Sequence, residues 1–531
     1  MRVPSSFVYR DLYKGKSTMQ DMSKIRLIQG GMGVHVSNWR LASAVARARL
    51  GAAAGTVSGT ALDVVYVRLL QLGDPGGHAR RAFHAFDRLF STTIGQEILD
   101  RFYVEGGKAP EARFRSAPLH IVHAASGGRR LPPPGSTPSP VELKLDEQLV
   151  ELLVVTAFAE VWLAKEGHDG VICINFLHKI ELPLIYAMYG AMLAGVSGVI
   201  VGAGNPEGLP AICSRLAHHQ AVTQAIPVLY REAGEEFLVS FDPGRIAGGK
   251  LTATAITRPA FLAIASLEDL VTALAGSESE APDGFIIEHH TAGGHNANPV
   301  GPMHRDELGQ PIYGAQDEPD LAVIRQSGRP FWLAGGYGSQ TGLQKALAAG
   351  ACGVQAGSIF ALCEESGMKS EYRAAILGAL KQGIDDAELV RTTLFSPTGF
   401  SFKVVQLAGT LSEPDVYAER RRVCDLGLLQ QIGLSKPDET GERALFQRCA
   451  AGPVESYVDK RGLARNTEER HCLCNGLLAC VGLGQVKEQH GELVHEPAIV
   501  TLGNRLDGVR RLSRNGQFRY WAGDVVTDIL G

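Results

Sequence analysis

Short runs of β-branched, aromatic and aliphatic residues alternate along most of the chain with stretches whose apolar positions recur at helical spacing. That alternation predicts parallel strands joined by helices. Eight runs read as strands, at residues 26–29, 52–57, 171–175, 198–202, 261–265, 284–288, 331–334 and 353–357. Eight favour a closed (β/α)8 barrel of the α/β class over an open sheet, because glycine-rich turns follow the last strands, where such a barrel grips phosphate.

The gap between the second and third runs is too long for one helix. An insertion, mainly helical, is therefore expected at about 60–165. Within it Asp74-Pro-Gly-Gly-His78 reads as a turn before a helix through Arg80, Arg81 and Phe86, and the Gly/Pro/Ser-rich stretch 126–140 as a mobile surface loop. A hairpin is expected at 226–241, and helices at 339–348 and 364–378. The pattern ends near residue 400, so residues 1–400 are expected to form the barrel and 401–531 a helical, loop-rich extension packed on it. The uncharged stretch 182–204 is long enough to weigh as a membrane span, but Gly190, Gly195 and Gly198 divide it into a helix and a short strand.

Composition narrows the partners. With 45% hydrophobic residues in 531, 20% charged and a formal net charge of −4, the chain offers no basic field for nucleic acid or anionic lipid. Small molecules or protein-borne substrates are the better expectation, with a homo-oligomer left open. Nine scattered cysteines suit a reduced, cytoplasmic protein, and the first ten residues lack the apolar core of a secretory signal.

The strand ends carry the chemistry. Glycine lets backbone N–H groups converge on an anion, so Gly335-Gly336 and Gly357-Ser358 are candidates for holding a phosphate; the plainer reading of each is a tight turn. Gln29-Gly-Gly-Met-Gly33 brings bare backbone and Met32 close to a planar ring, through Gly30 and Gly31. Asn175 and Gln355 are polar residues in apolar runs, placed to bond a ring edge or to be satisfied core amides. In Glu288-His-His-Thr-Ala-Gly-Gly-His-Asn296, Gly293 and Gly294 expose backbone and His295 reaches the mouth, where a near-neutral pKa suits acid–base work. His289 and His290 are expected on opposite faces of the strand. Glu288, His290 and His295 make a weak metal pattern, and no metal is expected. In His471-Cys-Leu-Cys-Asn-Gly-Leu-Leu-Ala-Cys480 the thiols lack paired C-x-x-C knuckles, so they read as buried, structural groups of a helix.

The elements Ile28-Gln-Gly-Gly-Met32, Ile174-Asn175, Ala292-Gly-Gly-His295, Ala334-Gly-Gly336 and Gly353-Val-Gln-Ala-Gly-Ser-Ile-Phe360, in that order, resemble the nitronate monooxygenase (2-nitropropane dioxygenase-like) family of FMN-dependent barrels. The resemblance implies FMN, with its phosphate at Gly335, Gly336, Gly357 and Ser358, its ring against the first-strand loop and Asn175, and His295 as the catalytic residue. Thr291 stands where that family has an acidic residue, and Asn296-Ala-Asn-Pro299 replaces its basic continuation. The insertion and extension are more similar to its large members and to the trans-acting enoyl reductases of polyketide and polyunsaturated fatty acid synthases. Three functions are thereby open: oxidation of a nitronate to a carbonyl compound and nitrite; NAD(P)H-dependent reduction of an enoyl thioester on an acyl carrier protein; or a non-catalytic assembly role.

Overall fold

The computed structural model describes residues 19–125, 127–136, 139–277, 279–513 and 519–531. The first ten residues, and positions 126, 137 and 138 of the Gly/Pro/Ser-rich loop, lie outside them. Eight parallel strands close a barrel: β1 (Leu27–Gln29), β2 (Ala53–Ser58), β3 (Val171–Leu177), β4 (Gly198–Gly202), β5 (Ala260–Ala265), β6 (Gly284–Glu288), β7 (Phe331–Ala334) and β8 (Gly353–Ala356). Leu27 pairs with Ala53 on one side and Val354 on the other, which completes the ring. Every run read as a strand from the sequence is one of these eight.

Side chains alternate across each strand, so every second residue points into the barrel. Ile28, Ala54, Cys173, Ile200, Leu262, Ile286 and Trp332 form one buried interior cluster. Trp332 is fully buried and its indole N–H donates to the Ile25 carbonyl at 2.8 Å, so its one polar group is satisfied. Two residues further along their strands, Glu288 and Ala334 sit side by side, and Ala334 neighbours Gln355. The apolar plug thus gives way, within one layer, to polar groups at the carboxyl ends of the strands.

The insertion contributes helices Leu62–Gln71, His78–Phe90 and Ile94–Phe102. The fourth helix, Glu147–Lys165, belongs to the barrel wall: it packs on Trp39–Ala48 and Leu184–Leu193 and is buried along nearly its whole length. Its Glu160 accepts from Trp39 N–H and Tyr66 O–H, both at 2.7 Å, and burial lifts this carboxyl to about 7. The stretch 182–204 folds as Leu184–Leu193 followed by β4, and among the described residues no helix is long and apolar enough to cross a membrane.

The regions expected to be helical also contain strands. His123–Ala124 and Val141–Lys144 of the insertion join the antiparallel pair Val222–Ala225 and Phe237–Phe241 in one four-stranded sheet, so the first strand of the hairpin expected at 226–241 lies before residue 226. Arg130–Leu131 of the insertion joins Arg443–Arg448, Gln431–Leu434 and Val228–Leu229 in another. The extension is therefore a mixture of short strands and helices, knitted into the insertion by backbone pairing. Strands of four to six residues that find partners hundreds of positions away leave little local signature. A boundary at 400 also divides a sheet, because Ser401–Val405 pairs with both Val390–Phe395 and Gly294–His295. After β8 the chain makes one helical turn, Ser358–Ala361, and the helix expected at 364–378 begins later, as Ser370–Lys381. The helix at 339–348 forms as Gln340–Ala348, with the Ser339 hydroxyl accepting from Gly342 N–H at 2.9 Å as its cap.

Candidate active site

A cavity of about 330 Å³ opens at the carboxyl end of the barrel. It is lined by Gly30, Gly31, Met32, Asn175, Gly293, Gly294, His295, Gly335, Gly336, Gln355, Gly357 and Ser358, so the residues singled out from the sequence for cofactor binding and catalysis meet in one place.

The ring-facing side is shaped by what glycine omits. A Cβ on Gly31 would lie 2.2 Å from the Asn175 Cβ, so any side chain there would displace Asn175. Gln29 does not line the cavity: its side-chain Oε1 accepts from Thr56 N–H at 2.9 Å and its Nε2 donates to the Ser37 hydroxyl at 2.8 Å, which fixes the loop from below. Gln355 is different. Its carboxamide oxygen is buried without a hydrogen-bond partner. A buried amide oxygen left free is costly, and a ligand with an N–H at its edge would satisfy it.

At the opposite end Gly335 (φ +87°) and Gly336 (φ +86°) adopt the left-handed conformation that strains other residues. The extension completes this end. Gly503 N–H donates to the Ser358 hydroxyl at 2.7 Å, and the Gly503 backbone packs so tightly on the Gly293 turn that a Cβ at 293 would be 2.6 Å from Gly503 N. Arg505 lies over Gly336, and Arg511, paired with Asp528, also lines the cavity. The glycines, the Ser358 hydroxyl and these guanidinium groups could hold a phosphate monoester, and the chemistry of the donor set fits FMN.

His295 sits on a two-residue strand whose partner lies in the extension: Gly294 faces Lys403 and His295 faces Phe402. Its Nε2 is buried with no hydrogen-bond partner. Burial, with a smaller push from Lys179, lowers its pKa to about 3. The near-neutral value expected from sequence is thus replaced by a ring that stays neutral at ordinary pH, because the apolar wall around it penalises the charged form. Lys179 acts on it, and Glu288 lines the same cavity. Lys179, just past β3, has a buried Nζ without a hydrogen-bond partner, held over the Phe400 ring, and burial brings its pKa to about 7. Glu288, at the end of β6, is lifted to about 7 by burial, against the pull of Lys403, whose ammonium donates to the His290 carbonyl.

The weak pattern of Glu288, His290 and His295 does not come together as a close group among the described residues. Among the described residues, the ligand-capable groups that come within 4.8 Å of one another are His289, His290 and Glu318, at the rim. His289 Nε2 is 2.9 Å from the Glu318 carboxylate, and His290 stacks between His289 and Tyr313. The two histidines share a side because β6 ends at Glu288, and strand alternation ends with it. Lys179, Phe402, Gly503 and Arg505 were missed from sequence. The apolar run that ends at Gly503 is the one signal that marks the last two.

Comparison with known proteins adds one sequence match: residues 252–398 fit the family model described as nitronate monooxygenase. No curated protein matches the chain. Among solved structures, FabK from Thermotoga maritima has a TM-score of 0.44 at 13% identity, covering 96% of this chain and 92% of its own. Nitroalkane oxidase from Streptomyces ansochromogenes gives 0.41 at 13% identity, with 95% of each chain covered. The enoyl reductase domain of MlnA from Bacillus amyloliquefaciens gives 0.37 at 11% identity, over 72% of this chain and 84% of that one. Likenesses this distant add nothing to the barrel that the strand pairing already establishes.

Proposed function

We propose that this chain is a nitronate monooxygenase-like, FMN-dependent oxidoreductase that oxidises alkyl nitronates with dioxygen, releasing a carbonyl compound and nitrite. The observation that carries this reading is the orphaned Nε2 of His295, a neutral imidazole aimed into the cavity. A neutral ring with a depressed pKa is a poor base for a carbon acid and a good hydrogen-bond donor to an anion. The substrate that suits it already carries its charge. Lys179 adds a nearby cation without a hydrogen-bond partner, and Gln355 and Asn175 are placed to orient the cofactor edge. Bound FMN supplies the electron acceptor and the reaction with dioxygen. The wall formed by Phe402, Leu428, Leu429 and Leu477 keeps water from the anion.

That same apolar wall favours the second reading, an enoyl-thioester reductase, since an acyl chain would bury against it. One experiment separates the two. The flavin-loaded protein is mixed aerobically with a preformed alkyl nitronate, and anaerobically with NADPH followed by a short enoyl thioester. Nitrite and carbonyl release in equal amounts is expected. Bleaching by NADPH with reoxidation by the thioester, and no nitrite, would replace the proposal with the reductase.

A further inference from the structure

The turn after β6 gathers two imidazoles around one carboxylate oxygen. His289 Nε2 lies 2.9 Å from Glu318 Oε1, while His290 Nε2 lies 3.9 Å from that same oxygen, beyond hydrogen-bond reach. The ligand atoms of all three residues fall within 4.8 Å of one another, the one such group of histidines, cysteines and carboxylates among the described residues. We propose that His289, His290 and Glu318 bind a divalent ion of the zinc type, with a fourth position open to solvent.

Spacing and donor type select the ion. Bonds of about 2.0–2.1 Å to nitrogen and oxygen set tetrahedral ligand atoms about 3.3 Å apart. That length falls between the two separations measured to Glu318 Oε1. Glu318 is the ligand free to adjust, since its side chain is 60% exposed and each imidazole only 20%. Two imidazoles with one carboxylate suit zinc and its neighbours, whereas magnesium and calcium take shells of oxygen. A plain histidine–carboxylate pair needs one imidazole, and here a second is held beside it.

The holding is done by groups outside the triad. His290 stacks on Tyr313, with centroids 3.8 Å apart and planes at 5°, and meets the His289 ring at 3.9 Å. His289 Nδ1 is 2.9 Å from the Thr291 hydroxyl, the kind of outer partner that orients a ligating imidazole and leaves Nε2 for the ion. The loop bearing Tyr313 and Glu318 is itself pinned: the Tyr313 hydroxyl donates to the Ala297 carbonyl at 2.9 Å, and the Asp317 carboxylate accepts from Val300 and Gly314 N–H, each at 2.7 Å. None of the three ligands lines the flavin cavity. The Gly335 turn nevertheless packs on their segment, since a Cβ there would lie 2.9 Å from the His289 carbonyl oxygen and 3.0 Å from Thr291 Oγ1. An ion at this site would tie the loop of Glu318 to the segment against which that turn rests.

The test uses the full chain loaded with flavin, stripped of metal by a chelator, desalted and dialysed against micromolar zinc. Zinc per chain is counted by mass spectrometry, and its ligands are read by X-ray absorption at the zinc edge. One zinc per chain is expected, with bonds of about 2.0–2.1 Å to nitrogen and oxygen and no sulfur at about 2.3 Å. His290→Ala and Glu318→Gln should each weaken zinc binding at least about tenfold, while Cys449→Ala binds as the wild type does. Glu318→Gln alters one exposed side chain, so its flavin content and zinc-free Tm should stay unchanged, which separates loss of a ligand from loss of the fold. None of these readouts depends on which substrate is oxidised. Wild-type protein that retains no zinc, sulfur in the zinc shell, or wild-type affinity in Glu318→Gln and His290→Ala overturns the proposal.

Discussion

His295 and Phe402 face each other as antiparallel strand partners, with ring centroids 5.0 Å apart and planes at 89°. A residue lining the barrel mouth is thus packed edge-to-face with an aromatic ring more than a hundred positions later in the chain. Because the ring is held neutral, His295→Ala is expected to retain flavin and to lower kcat/KM for preformed nitronates by about a hundredfold, the usual cost of removing one aligned donor. His295→Asn should recover part of that loss, since an amide also donates. Stopped-flow flavin reduction with nitronate and with the neutral nitroalkane checks it. A loss confined to the neutral form would instead mark His295 as a base.

Lys179 makes the pH dependence specific. A lysine is cationic below its pKa, and burial brings this one to about 7. Attraction for an anion is therefore full below about pH 7 and fades as pH rises through it. KM for nitronate should climb across that range in the wild type. Lys179→Gln should show a KM raised about tenfold at pH 6, consistent with losing one charged contact, and a flat profile. An unchanged profile in the variant would place the titrating group elsewhere.

Gly31→Ala tests the close approach beneath the ring. The added methyl carbon meets Asn175 Cβ at 2.2 Å. Overpacking of this kind costs about 1–3 kcal/mol. Thermal melts of the flavin-free protein should show that cost as a lower Tm, and the holoprotein should lose flavin on gel filtration. Retained flavin with an unchanged Tm would mean that the loop shifts freely.

The phosphate end predicts FMN rather than FAD in the released cofactor, read by mass spectrometry. Gly357→Asp is sterically mild, since the nearest atom to the new Cβ is Met32 Sδ at 3.6 Å, so its effect should be electrostatic. It should abolish retention by placing a carboxylate at the phosphate. Arg505→Ala should weaken FMN binding to the apoprotein about tenfold, as expected for loss of one charged contact. Isothermal titration with FMN and with riboflavin checks this: a phosphate contact predicts that riboflavin affinity stays constant in the variant.

The barrel and its glycine turns were legible because each strand is a continuous apolar run and each turn is marked by residues that only backbone crowding requires. Gly335 and Gly336 show it: the left-handed φ values that the structure gives them are the reason for a double glycine. The extension was not legible for the opposite reason. Ser401–Val405 is buried on both faces, so it shows no alternation, and its partners are Val390–Phe395 and Gly294–His295. Spacing within 471–480 marks a helix, and only folding brings Cys424 and Cys449 beside its first two thiols. His295 was located from sequence, but its protonation was not, because the apolar wall that lowers its pKa comes from elsewhere in the chain.

The backbone pairing of Gly294–His295 with Ser401–Val405, and the seat of Gly503 on Ser358, also set an order of events during synthesis. When β8 leaves the ribosome all eight barrel strands exist, yet the histidine has no strand to lie against and the phosphate turn lacks its outer wall. A nascent chain at that point can close its barrel but cannot hold its cofactor firmly. Loading must wait for the last hundred or so residues, so a chain that stalls or is clipped after the barrel would be released colourless rather than as a half-active enzyme.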